Sequence, residues 1–228
     1  METNTKSGDY RLNQTIIRFP DIQLKTRDGH KLRGFFGNLF REHSPLLHNH
    51  FEDGTHRYAY PLVQYKVIDK VPMLTGFQEG SELLIDLFLK IKELVIDDTL
   101  YPVYSKNIEN KTVVFDDFDT LKTYNLKTLW LGLNQKNHKI YRQMDSPDEK
   151  RKFLDRILRN NILSFYKGVN YWTEEKIMVT ANLKSKTTHL KGIEMMGFTG
   201  TFVTNAILPD FAGLGKSVSR GFGTVLKQ

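Results

Sequence analysis

The chain contains no cysteine. That excludes disulfides, a thiol nucleophile and any zinc site built on thiolates. It also agrees with a cytoplasmic setting, where thiols stay reduced. No stretch approaches the ~18 consecutive apolar residues of a membrane span. The first residues, Met1-Glu2-Thr3-Asn4-Thr5-Lys6-Ser7, are polar and lack the apolar core of a signal peptide. The expectation is a cytoplasmic chain with no membrane partner.

Acidic residues are also in deficit. There are 26 Asp and Glu against 33 Lys and Arg, giving a formal net charge of +7. Such an excess favours polyanionic partners, meaning nucleic acid or an anionic surface. Arg151, Lys152, Arg156 and Arg159, with Lys184, Lys186 and Lys191, are candidates for a basic face. Of two tryptophans, Trp130 lies between Leu129 and Leu131 and reads as core; Trp172 beside Tyr171 is the better candidate of the two for stacking on a base, with a core position the favoured reading for it too. At 228 residues, with 39% hydrophobic and 26% charged, the chain has the composition of one large or two small folded domains.

The hydrophobic periodicity gives an order of elements. Residues 15–19 read as a strand halted by Pro20. Leu32, Phe35, Phe36, Leu39 and Phe40 recur at helical spacing and predict a helix over residues 31–43. Residues 61–68 and 71–77 read as a hairpin turning at Asp69-Lys70. A second helix is expected over residues 79–93. The fourth strand is either residues 94–96 or 112–115. This is a split βαβ, ferredoxin-like order. After the acidic break Asp116-Asp117-Phe118-Asp119 the pattern restarts. A strand is expected over residues 126–133. Ser146-Pro147-Asp148-Glu149 opens a helix with a cap, a first-turn proline and a capping-box glutamate. Strands follow at residues 176–181, with 187–195 as a candidate hairpin partner, and at residues 198–204. Residues 205–212 are barely long enough for a last helix, and residues 224–226 form a closing strand. The expected fold is α+β, two tandem ferredoxin-like domains divided as residues 1–117 and 118–228, the second carrying a glycine-rich loop.

That loop is the run Gly213-Leu214-Gly215-Lys216-Ser217-Val218-Ser219-Arg220-Gly221-Phe222-Gly223. Glycines that turn sharply, beside Lys216, Arg220, Ser217 and Ser219, make a cradle for phosphate. A nucleoside-triphosphate loop would need glycine where Asp210 stands, and would need a helix for which residues 218–228 leave no room. A dinucleotide fingerprint would have to open a βαβ unit. A polymer backbone suits the loop better than either, and the competing reading is a Gly-rich hairpin near a flexible end without a ligand.

Five of the seven histidines, His30, His43, His48, His50 and His56, fall between residues 30 and 56. Three readings compete. A metal site would draw on His48, His50, Glu52 and Asp53, but the spacing is not that of a structural zinc site. Metal-free acid–base chemistry on RNA needs a base near the 2′-hydroxyl, an acid near the leaving oxygen and a cation for the phosphorane. His48, His50, Tyr58 and one of Lys31, Arg33 or Arg57 supply that set. The third reading is surface histidines without a role.

Two segments resemble one family. The pattern Gly213-Leu214-Gly215-x5-Gly221-Phe222-Gly223-Thr224-Val225 is similar to the glycine-rich loop of the RAMP endoribonucleases that process CRISPR repeat RNA. His48-Asn49-His50, with Arg57-Tyr58-Ala59-Tyr60-Pro61-Leu62-Val63-Gln64-Tyr65-Lys66, resembles the N-terminal signature of a subgroup of these crRNA-maturation enzymes. The resemblance implies metal-independent cleavage of precursor CRISPR RNA within each repeat, leaving a 5′-hydroxyl and a 2′,3′-cyclic phosphate. It implies His50 and His48 as general acid and base, Tyr58 (or Tyr60) as a positioning or protonating group, and Lys31 or Arg33 as the cation. Gly213, Gly215, Lys216, Ser217, Ser219, Arg220, Gly221 and Gly223 would bind RNA. No metal or cofactor is implied. Its partners would be stem-loop repeat RNA, a CRISPR effector complex and, as a homodimer, a second copy of the chain. The alternative is a non-catalytic RNA-binding RAMP subunit of a ribonucleoprotein complex.

Overall fold

A computed structural model describes residues 10–39, 60–190 and 192–228. The first half runs β1 (Arg11–Arg18), a 3-10 turn (Thr26–Asp28), α1 (Gly29–Leu39), β2 (Val63–Ile68), β3 (Val71–Phe77), α2 (Glu79–Phe88), β4 (Glu93–Ile96), β5 (Thr99–Pro102) and β6 (Asn107–Val114). The second runs β7 (Lys122–Trp130), α3 (Gln135–Gln143), α4 (Pro147–Gly168), β8 (Val179–Leu190), β9 (Ile193–Thr204), a 3-10 turn (Val218–Arg220) and β10 (Val225–Lys227).

Two antiparallel sheets result, ordered β2-β3-β1-β6 and β10-β7-β9-β8. Once the β4–β5 hairpin is set aside, both orders read 4-1-3-2 within their own half, which is the ferredoxin-like topology in tandem. The fourth strand of the first sheet is therefore β6, which pairs with β1 along its whole length, from Arg11↔Val114 to Arg18↔Asn107. Residues 94–96 belong instead to β4, which pairs only with β5.

The elements that form where expected have strong local signals. Asp69 and Lys70 both take positive φ, 50° and 69°, the paired left-handed turn that suits a two-residue hairpin. At the start of α4 the Ser146 hydroxyl accepts the Glu149 N–H and Pro147 fills the first turn. Phe153, Leu154, Ile157, Leu158, Ile162, Phe165 and Tyr166 form its buried stripe.

Three departures have physical causes. Helix α3 was not expected, because its sequence is mostly polar and none of its residues is fully buried; the Asn134 cap, whose Oδ1 accepts the Asn137 N–H at 2.7 Å, holds its start, and Ile140 and Tyr141 rest against the core. Residues 187–190 are not a return strand but the outer part of β8, and the chain turns at Gly192 (φ 76°). The run Lys184-Ser185-Lys186-Thr187 is exposed on both faces, so it has no alternating apolar pattern to mark it as strand. Residues 205–212 contain no α-helix; Asn205 anchors this segment through its side chain, accepting the Met178 N–H and donating to the Lys176 carbonyl.

The first sheet separates its two faces by alternation. Val63, Tyr65 and Val67 of β2 pack with Leu32 and Phe36 of α1 in one core. Gln64 and Lys66 point the other way, toward the second half, and are fully buried there. Leu12, Phe77 and Phe115 join the core built on α4 and the second sheet. Trp130 lies within that core, fully buried. No helix among the described residues is long and apolar enough to cross a membrane.

Candidate functional site

The glycine loop is fastened by its backbone. Gly213 bridges Thr224, and Leu214 N–H donates to the Gly223 carbonyl at 2.9 Å. Gly223 N–H donates to Leu129 at 2.9 Å and Lys216 N–H to Leu131 at 3.0 Å, tying both sides of the loop to the end of β7. At its tip Ser217 is left-handed (φ 57°) and leads into the Val218–Arg220 turn. The N–H groups of Ser217 and Ser219 have no acceptor among the described residues. Arg220 and Lys216 are the cations of the run.

This tip sits on the first half, against the start of α1 and against β2. Two glycines make the approach possible. A Cβ on Gly29 would lie 2.7 Å from the Arg220 carbonyl oxygen, and one on Gly221 would lie 3.0 Å from that of Tyr65. Gly221 also takes φ 90°, a region that L side chains enter only with strain. Gly221→Ala is expected to cost about 1–3 kcal/mol of stability through that backbone strain, read as a lowered denaturation midpoint.

One turn of α1 beyond Gly29 stands Arg33, on the same helical face. It is half-buried, and burial together with the neighbouring Arg220 charge lowers its pKa below the ordinary arginine value. Two guanidiniums from opposite halves thus share the seat of the glycine loop. Such a like-charge pair favours an anion. Lys31 faces elsewhere. Its ammonium is bound by Asp97 of the β4–β5 turn and lies 2.9 Å from Asp28. The hydrogen bonds to Asp97 and Asp28 raise its pKa.

Beneath the tip runs a buried polar chain. Tyr60 OH donates to the Gly213 carbonyl at 2.8 Å and accepts from Gln64 Nε2 at 2.6 Å. Lys66 Nζ donates to Gln64 Oε1 at 2.8 Å and to Thr224 Oγ1 at 3.2 Å. Thr224 and Thr128 both donate to the Gly221 carbonyl. Lys66 has no carboxylate partner among the described residues, and burial brings its pKa down to about 7. Burial likewise pushes the Tyr60 hydroxyl well above the usual tyrosine value. Sequence reasoning missed Lys66 as a site residue, because a lysine in an alternating strand reads as solvent-facing. The signal available was Gln64 and Lys66 together on one strand face.

His48, His50 and Tyr58 lie outside the described residues, as do His43, His56 and Arg57. The described chain resumes at Tyr60, on the glycine loop. His30 is exposed on the first turn of α1, with Nδ1 2.7 Å from the Arg27 carbonyl. The basic face is thinner than its count of cations suggests. Arg151 pairs with Asp148 and Asp155, and Lys152 with Asp148. Lys184 and Lys186 project from the exposed part of β8. Trp172 is 69% exposed, with the Lys167 ammonium 5.9 Å from its ring centre.

The chain matches known proteins over nearly its whole length. The family model for the Cas6b N-terminal domain matches residues 10–114, and that for the Cas6b C-terminal domain matches residues 118–228. A crystal structure of Cas6b, 37% identical, superposes with a TM-score of 0.91 and covers 96% of this chain and 100% of its own. A crystal structure of the CRISPR RNA processing endoribonuclease Cas6b is 34% identical, with a TM-score of 0.77 and the same coverage. An uncharacterised protein of Methanocaldococcus jannaschii is 32% identical over 143 residues, which is 62% of this chain and 97% of that one. The type IV crRNA endonuclease Csf5 shares the fold, with a TM-score of 0.60 at 10% identity over 96% of this chain and 100% of its own. The glycine loop seated between two ferredoxin-like halves is thus a feature of a chain that belongs to the Cas6b family.

Proposed function

We propose that this protein is an endoribonuclease that cuts precursor CRISPR RNA within its repeats without a metal ion. The observation that carries the reading is the seat of the glycine loop on α1, where Arg33 and Arg220 gather positive charge beside free backbone N–H groups. The likeness to a Cas6b that is a CRISPR RNA processing endoribonuclease supports it.

The chemistry needs little beyond what this sequence holds. One of His48 and His50 takes the proton of the ribose 2′-hydroxyl as that oxygen attacks the adjacent phosphorus. The other gives a proton to the departing 5′-oxygen. The P–O5′ bond breaks as the P–O2′ bond forms, leaving a 2′,3′-cyclic phosphate and a 5′-hydroxyl. Tyr58 positions the phosphate. The phosphorane charge falls to Arg33 and Arg220, which stand together at the seat of the loop, whereas Lys31 lies against Asp97 and Asp28. Gly213, Gly215, Lys216, Ser217, Ser219, Gly221 and Gly223 shape and line the phosphate cradle. The effector complex and the homodimer are further proposals on the same reading.

The purified protein is expected to cut its cognate repeat hairpin in EDTA, giving the two ends named above. A repeat with a 2′-deoxy sugar before the scissile phosphate should bind and resist cleavage. Cleavage of that RNA at the normal rate would exclude 2′-hydroxyl attack, and loss of activity in EDTA, restored by a divalent ion, would exclude the metal-free mechanism. Tight binding of the cognate repeat with no cleavage would identify a non-catalytic RNA-binding subunit.

A further inference from the structure

Beside the glycine loop lies a cleft of about 280 Å3 between the loop, the residues after β7 and the outer face of α4. Its size lies just below the ~300–1,000 Å3 range of small-ligand sites, on the scale of one nucleotide. Its lining is dominated by amides: Asn134, Asn137, Asn160 and Asn161. Two of these have their oxygens committed. Asn134 Oδ1 accepts the Asn137 N–H at 2.7 Å, and Asn161 Oδ1 accepts the Trp130 indole N–H at 3.0 Å. Each is left with an NH2 group to donate. The side chains of Asn137 and Asn160 have no partner among the described residues and can donate and accept together.

Among the described residues no carboxylate lines the cleft, and the one cation is Lys216. Ile157, Gly132 and Gly215 supply apolar and flat surface. Amide donors and acceptors beside an apolar side chain and glycine backbone, with a cation in the lining, match the chemistry of an unstacked nucleobase and its phosphate. The position agrees. Gly215 and Lys216 form part of the cleft wall and lead directly into the loop tip at Ser217. Along α4, Arg156, Asn160 and Ser164 follow at four-residue steps, so a strand leaving the cleft meets a second cation on the same ridge.

We infer that this cleft takes one unpaired nucleotide of the repeat RNA, its base read by the amides of Asn137 and Asn160 and its phosphate held by Lys216. The inference rests on the endoribonuclease reading. It adds a sequence-reading site to a loop that otherwise contacts only backbone.

The test uses the full chain and a repeat RNA blocked by a 2′-deoxy sugar at the scissile position. Each unpaired nucleotide is replaced in turn by an abasic ribose. For the wild type, one abasic position is expected to weaken Kd at least tenfold. Asn137→Ala/Asn160→Ala should bind intact RNA about tenfold more weakly and show no further loss at that position. Asn160→Asp, which keeps the shape but brings negative charge, should weaken binding more than Asn160→Ala. Unchanged far-ultraviolet circular dichroism and melting temperature confirm that the variants fold, and those side chains hold no part of the fold together. If every abasic penalty persists in the double variant, or if no position carries a penalty, the inference is overturned while cleavage by the wild type still stands. If the wild type neither binds nor cuts its repeat, both readings fall.

Discussion

His50→Ala is expected to slow cleavage of the repeat by about 10²–10⁴-fold, the usual loss when a general acid or base is removed. Affinity for the blocked repeat should stay within a few-fold, because binding rests on phosphate contacts made elsewhere. The cradle residues are far along the chain from this histidine, on a loop whose shape is set by its bonds to Leu129 and Leu131. Single-turnover rates and equilibrium binding, measured on one preparation, separate the two effects. His48→Ala should behave the same way, with the loss falling on the opposite limb of the pH–rate profile. Equal loss of rate and affinity in His50→Ala would show that the residue supports structure instead of proton transfer.

The second large effect concerns Lys66. Its folded-state pKa of about 7 lies below the ~10.4 of an unfolded lysine. Between these values the unfolded chain holds a proton that the folded chain has released. Stability therefore rises with pH across this window and is lost as pH falls back through about 7. The slope from this one group approaches ~1.4 kcal/mol per pH unit. Above roughly pH 10 the buried tyrosines reverse the trend, since Tyr60 and Tyr65, raised chiefly by burial, stay protonated in the fold after their unfolded counterparts ionise. Lys66→Met should flatten the rise between pH 7 and 10, with urea denaturation at each pH as the readout. Parallel stability curves for the two proteins would show that Lys66 stays charged in its buried site.

Local information suffices for some elements of this fold and not for others. Helix α4 was legible because cap, proline and apolar stripe all lie within one stretch. The β2–β3 hairpin was legible for the same reason. Both sheets follow the expected strand order. Helix α3 and the outer part of β8 were not legible, since two adjacent apolar residues in one and polar residues exposed on both faces in the other leave no period to read. Lys66 was hidden by a different cause: its strand alternates as a surface strand does, and only the second half of the chain turns that face into an interior. Among the two candidate cations on α1, spacing alone could not choose. What separates them in the fold is Gly29, which fixes the face of α1 that meets the loop and carries Arg33, and Asp97, more than sixty residues away, which binds Lys31.

The fastening of the glycine loop has a thermodynamic consequence. A glycine-rich run in solution has much conformational freedom to lose when it closes on a ligand. Here that freedom is surrendered during folding, through the backbone bonds of Leu214, Lys216 and Gly223 and the close seating of Gly29 and Gly221. On the function proposed above, RNA arriving at the loop would meet donors already held in place, so little of the contact energy would be spent on ordering the protein. The same preorganisation divides the loop into two kinds of position. Changes at Ser217, Ser219 and Arg220 alter what the cradle offers to phosphate, whereas changes at Gly221 alter whether there is a cradle at all.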